Sequence, residues 1–132
     1  MCGIAGHISY KEGVNTSYIT AMTDAIRHRG PDGEGNYINP SGTAVLGHRR
    51  LSFLDLSEAG KQPMTNEDGT LWITYNGEIY NYIELRSELE KLGHRFHSHT
   101  DTEVILHGYE QWGVEVLSRL KGMFALGIWN EK

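Results

Sequence analysis

A single cysteine, three prolines and no long apolar run set the first limits on this 132-residue chain. One cysteine excludes an internal disulfide framework and suits a reducing compartment. No stretch approaches the ~18 apolar residues of a membrane span. The N-terminus has neither a basic region nor an extended apolar core, so it does not read as a secretory signal. Basic residues are in deficit, 12 against 17 acidic, for a net charge of −5. A nucleic-acid platform needs the opposite balance to displace counterions. The expectation is a cytoplasmic protein with no nucleic-acid and no membrane partner. Internal repeats and low-complexity linkers are missing as well. The length suits one domain that buries about two-thirds of its unfolded surface.

What is present concentrates at the start. Cys2 stands one residue from the beginning of the chain, before the short apolar run Ile4-Ala5-Gly6-His7-Ile8. Cysteine is small enough for Met1 to be clipped, which would leave a thiol and a free α-amine on one residue. A thiol of pKa about 8.5 is only a few per cent ionised at neutral pH. An α-amine of pKa roughly 7.7–8.0 can take that proton and later return it to a leaving amine. The plain alternative is a cysteine that packs as a small hydrophobe. With Met1 retained, the amine is an amide and the base is lost.

Periodicity predicts a strand over 4–9 and a helix over 16–28, capped by Asn15 or Thr16, with Tyr18 or Ile19 and Met22 inward. Gly30-Pro31 stops that helix. Arg27-His28-Arg29-Gly30-Pro31-Asp32-Gly33 is either an anion site or a solvated turn. Strands over 35–38 and 43–47 make a hairpin, and 48–56 reads as a loop packed across the domain. One of Arg49 and Arg50 can grip a carboxylate bidentately, or both can face solvent. Leu71 to Tyr75 reads as a central strand. It ends in Asn76-Gly77, a favoured hairpin turn or, alternatively, two donors for an oxyanion. A helix over 82–92 carries Leu85, Leu89 and Leu92 on one face, with Asn81 as cap and Gly93 as stop. A short strand over 95–99 follows. Thr100-Asp101-Thr102-Glu103 is a capping box opening another helix. There Asp101 either serves the helix dipole or awaits an ammonium group. Val114 to Leu120 is a further short helix, and 123–129 a buried strand. Among the seven histidines, His94, His97 and His99 lie close, but the ligand count falls short of a zinc site, and no metal is expected.

Taken together, Met1-Cys2-Gly3-Ile4, Arg27-His28-Arg29-Gly30-Pro31-Asp32, Arg50-Leu51-Ser52, Tyr75-Asn76-Gly77-Glu78-Ile79-Tyr80-Asn81, Thr100-Asp101-Thr102-Glu103-Val104 and Gly122-Met123-Phe124-Ala125 resemble the class II glutamine amidotransferase domain, asparagine synthetase type. The segments span almost the whole chain in the family's order. The resemblance implies an α+β fold: a four-layer αββα sandwich of the N-terminal nucleophile hydrolase type, with two antiparallel sheets stacked face to face. It implies that Cys2 attacks the side-chain amide of L-glutamine, forming a glutamyl thioester and releasing ammonia. Asn76 and Gly77 would form the oxyanion hole. Arg50 would hold the substrate carboxylate, while Asp101 and Glu78 would bind its α-ammonium. Backbone groups from Leu51 to Leu54 would line the pocket.

Residues 1–132 correspond to the N-terminal part of the type-2 domain. Family members continue through more strands and then an ATP-using synthetase domain that spends the ammonia on aspartate. The expectation is a domain truncated at its C-terminus. It needs no cofactor itself, ATP and Mg belonging to the synthetase part, and it supplies a synthetase domain or partner with ammonia. Rival readings are an N-terminal cysteine hydrolase acting on another amide, a glutamine-binding module without turnover, and an inactive fragment.

Overall fold

Two strands carry the architecture: β3 (Ala44–Arg50) and β5 (Leu71–Ile79). The computed structural model describes residues 1–52 and 57–132. β3 is the middle strand of an antiparallel sheet, between β1 (Gly3–Ile8) and β2 (Gly33–Ile38). β5 is the middle strand of a second antiparallel sheet, between β4 (Met64–Thr65) and β6 (Gly122–Asn130). α1 (Thr16–Ala25) covers the outer face of the first sheet. α2 (Tyr82–Lys91), α3 (Asp101–Trp112) and the short α4 (Val116–Arg119) share one apolar cluster with the outer face of the second. This is the four-layer sandwich that the resemblance implies.

The period of two along each strand explains the layering. β5 sends Leu71, Ile73, Tyr75 and Ile79 into the cluster with Leu89, Ile105 and Leu106. Its alternate residues face the other sheet. Trp72 stacks on Tyr37 with ring centroids 3.8 Å apart, and Thr74 Oγ1 donates to the Gly47 carbonyl at 3.0 Å. β3 divides in the same way. Val45 packs with Ile19 under α1, and Arg49 turns to the same side, where Nε donates to Thr23 O at 2.9 Å and Nη1 pairs with Glu34 at 2.6 Å.

Several local expectations give way to tertiary structure. β3 runs on through His48, Arg49 and Arg50, where a loop was expected, because a strand covered on both faces loses its alternating signature. Asn76-Gly77 is not a turn but lies inside β5. No strand forms over 95–99; instead His97 N, Ser98 N and Ser98 Oγ donate to the Glu103 carboxylate at 2.6–2.7 Å. Glu103 is thereby taken from the reciprocal half of the capping box, and only Glu103 N to Thr100 Oγ1 remains, at 3.4 Å. Asn81 holds the N-cap position of α2, but its side chain ties Lys121 N and Arg119 O at 2.9 and 3.0 Å instead of bonding the helix. Met22 and Leu92 are exposed, and the inner face of α1 is Ile19 and Thr23. β6 is not a buried strand, since Met123 is 65 % exposed, and β1 is only half-buried.

β2 passes close to the segment that enters β4. A Cβ on Gly35 would overlap the Gln62 carbonyl oxygen. Gly35→Ala is therefore expected to destabilise the domain by about 2 kcal/mol or more, measured as a shift in the urea midpoint.

Candidate active site

The end of β3, the start of β1, the middle of β5 and the first turn of α3 meet around one cavity. Its lining includes Cys2, Arg50, Leu51, Asn76, Gly77, Glu78 and Asp101. All the site residues expected from sequence therefore converge, except Leu54, which lies outside the described residues. Cys2 Sγ accepts from Leu51 N at 3.3 Å and donates to Leu51 O at 3.5 Å. Arg29 Nε donates to the Cys2 carbonyl at 3.1 Å, fixing the backbone beside the thiol. The glycine-bounded loop is thus more than an idle turn. Arg29 holds Cys2, while Asp32 accepts from Ser52 N and donates its own N–H to Arg50 O, at 3.0 and 2.9 Å.

The adjacent arginines separate because strand neighbours face opposite ways. Arg49 is buried against α1 and pairs with Asp24 at 2.5 Å. Arg50 lines the cavity, and its Nη1 donates to Ser57 O at 3.1 Å. His48, two residues before Arg50, lines the cavity too. Its Nε2 faces the Tyr75 carbonyl at 3.2 Å and so carries the proton. Burial pushes its pKa down to about 4; the bond to Tyr75 opposes the shift and the Arg50 charge adds to it. His48 is a neutral imidazole and a weak base near pH 7.

The backbone of β5 supplies the most specific feature. Tyr80 N donates to Lys121 O and Glu131 N to Thr70 O, at 2.7 and 2.9 Å, so even-numbered residues bond β6. In an antiparallel ladder the odd-numbered ones then face away from it. Tyr75 N meets Gln62 Oε1 at 2.7 Å, and Ile79 N meets Asp101 Oδ2 at 3.0 Å. Gly77 N lies between these two capped amides, on the side where β4 has already ended. No side chain among the described residues caps it. A Cβ at Gly77 would overlap Met123 O, so glycine lets the strands come this close. Asn76, its neighbour, belongs to the face that turns toward the other sheet.

Asp101 is 6 % exposed and held at one oxygen: Oδ2 accepts from Tyr75 Oη at 2.6 Å as well as from Ile79 N. Oδ1 accepts nothing from the described residues and belongs to a residue lining the cavity. Burial, the Asp101 carboxylate, Glu78 and Cys2 all raise the Tyr75 pKa above its ordinary value, so the phenol stays a donor. Gln62 Nε2 reaches Thr102 Oγ1 at 3.2 Å and joins β5 to α3 behind the cavity.

Sequence reasoning missed Tyr75, Gln62, His48 and Thr102. Only Tyr75 gave a signal, as a phenol in a buried strand that must find a partner. The three histidines weighed for zinc do not meet: His94 contacts Gln111, His97 lies beside Glu103, and His99 is exposed.

Comparison with known proteins fits this geometry. The family model for the glutamine amidotransferase domain matches residues 1–132. Asparagine synthetase [glutamine-hydrolyzing] 1 of Bacillus subtilis is 46 % identical over 99 % of this chain and 21 % of that protein. Asparagine synthetase [glutamine-hydrolyzing] 3 of the same organism is 40 % identical over 100 % of this chain and 22 % of that protein. The chain thus spans about a fifth of the length of these curated relatives. In fold it resembles the glutamine phosphoribosylpyrophosphate amidotransferase of B. subtilis, with a TM-score of 0.75 and 24 % identity, covering 98 % of this chain and 35 % of that one. With every residue matched and relatives this close, the chain belongs to the glutamine amidotransferase domain family.

Proposed function

We propose that this domain hydrolyses the side-chain amide of L-glutamine through a thioester on Cys2. The observation that carries this reading is the Gly77 N–H, left uncapped between two capped amides and beside the cavity that holds the Cys2 sulfur.

Removal of Met1 exposes the Cys2 α-amine, which takes the Sγ proton. Sγ attacks the amide carbon of glutamine, and charge moves to the carbonyl oxygen, where Asn76 Nδ2 and Gly77 N receive it. The amine returns its proton to the nitrogen, which leaves as ammonia. Water then attacks the thioester, the same amine accepting its proton, and glutamate departs with the thiol restored. His48 is unsuited to be the base, because its pKa of about 4 leaves it weakly basic. Arg50 takes the α-carboxylate, while Asp101 Oδ1 and Glu78 take the α-ammonium. Backbone groups from Leu51 to Leu54 complete the pocket. No cofactor enters these steps.

The ammonia goes to an acceptor outside residues 1–132. The closeness to the two B. subtilis asparagine synthetases supports asparagine formation by a synthetase domain or partner; the family resemblance adds ATP and Mg as that part's cofactors, and the single cysteine suits the reducing cytoplasm. A second reading, glutamine binding without turnover, applies to any molecule that keeps Met1. Met1 lines the same cavity, and with it in place the Cys2 nitrogen is an amide.

Intact mass combined with an ammonia-release assay tests both readings. Chains lacking Met1 are expected to turn over glutamine, and chains retaining it to bind glutamine without releasing ammonia. Full turnover by the Met1-retaining species would overturn the mechanism. Binding without turnover by the processed species would leave only the second reading.

A further inference from the structure

Away from the Cys2 cavity, α3 carries His107 and Glu110 on one face, three residues apart. The turn after α2 brings His94 over them. Glu110 Oε2 lies 2.7 Å from His107 Nδ1 and 3.7 Å from His94 Nδ1. One donor atom from each of these three residues falls within 4.8 Å of the others.

The far side of each group is already engaged. His94 Nε2 meets Gln111 Oε1 at 2.9 Å, so its proton sits there and its Nδ1 lone pair turns toward Glu110. Asn66 Nδ2 donates to Glu110 Oε1 at 2.7 Å. His107, with its side chain only 2 % exposed, has Nε2 at 3.4 Å from Glu103 Oε1, with no hydrogen-bond partner among the described residues. A neutral imidazole carries one proton and cannot serve carboxylates at both nitrogens. Either a second proton or a metal cation between His107 Nδ1 and Glu110 balances the two carboxylates, and the facing His94 lone pair offers the metal a further donor.

We propose that His94, His107 and Glu110 bind a divalent cation of the zinc class, with solvent in the fourth position, clamping the turn after α2 to α3. Two imidazole nitrogens and a carboxylate oxygen are a zinc donor set. Ligands whose outer atoms are fixed by Gln111, Asn66 and Glu103 are oriented as metal sites require. Bonds of about 2.0–2.1 Å put tetrahedral donors roughly 3.3 Å apart, between the 2.7 and 3.7 Å that Glu110 Oε2 keeps to the two imidazoles. This ion would sit apart from the sulfur chemistry, and it revises the expectation of no metal.

The test uses Co²⁺ as probe in a Cys2→Ala background, which removes the only thiol. One equivalent is expected to bind with the visible bands of a tetrahedral ion and to be displaced by Zn²⁺. His94→Gln and Glu110→Gln, both at sites reaching solvent, are expected to weaken binding at least about tenfold, while His99→Gln is not. Zn²⁺ should raise the melting temperature of the parent but not of the first two variants. Failure to bind one equivalent, or binding that survives both substitutions in folded protein, would overturn the proposal and leave a second proton on His107 as the cation.

Discussion

Cys2→Ala is expected to lower glutamine hydrolysis by at least about 10⁴-fold while leaving glutamine affinity within a few-fold of the parent. Cys2 is the single cysteine of the sequence, so no other thiol can form the thioester, and the loss of a covalent nucleophile is not made good by its neighbours. Binding should survive because the groups assigned to the zwitterion are elsewhere. Arg50 is on β3, Glu78 on β5 and Asp101 on α3. Among the described residues the thiol hydrogen-bonds only the Leu51 backbone. Alanine is also small enough for Met1 to be removed, so the amine persists. Ammonia release and calorimetric titration with glutamine together decide the matter. Hydrolysis persisting in the variant would exclude Cys2 as nucleophile, and a collapse of binding would assign it to recognition.

Asp101→Asn should cost roughly 10²–10³-fold in kcat/KM, most of it in KM. One carboxylate oxygen accepts from Tyr75 Oη and Ile79 N. An asparagine keeps those bonds only by placing its carbonyl there. Its NH₂ then faces the pocket and points a donor at the substrate ammonium, replacing an attraction with a repulsion. The side chain is 6 % exposed, so solvent screens little of this change. Tyr75→Phe separates the roles. It removes one bond from the carboxylate yet keeps the charge, and a smaller KM effect is expected. An Asp101→Asn enzyme with unchanged KM would move ammonium recognition to Glu78 alone.

How far the sequence reveals this structure depends on the range of the interactions involved. The helices were legible because Leu85 and Leu89, or Ile105 and Trp112, recur at helical spacing within one element. The hairpin of β2 and β3 was legible from the turn at 39–42. The path of β3 beyond Gly47 was not, since His48, Arg49 and Arg50 each face a different distant neighbour. Charge in a strand looks like a loop until its partners are known. Cys2, Arg50, Asn76, Gly77, Glu78 and Asp101 could be named because each brings a chemical capability readable from its type and motif. Gln62 and Thr102 could not. They act through bonds 13 and 40 residues away in the chain, which local pattern does not record. The Asn76-Gly77 pair shows the same limit. As a dipeptide it favours a turn, but nine paired residues of β5 hold it straight.

That strand also limits which sequence changes lineages of this domain can accept. One edge of β5 holds Tyr75, Gly77 and Ile79 in step with Gln62, the cavity and Asp101, while its faces alternate between helices and sheet. Gaining or losing a single amino acid between Leu71 and Ile79 would invert every later position at once. Apolar exchanges at Ile73 are comparatively mild, whereas length variation must be confined to connections such as 67–69, outside the ladder.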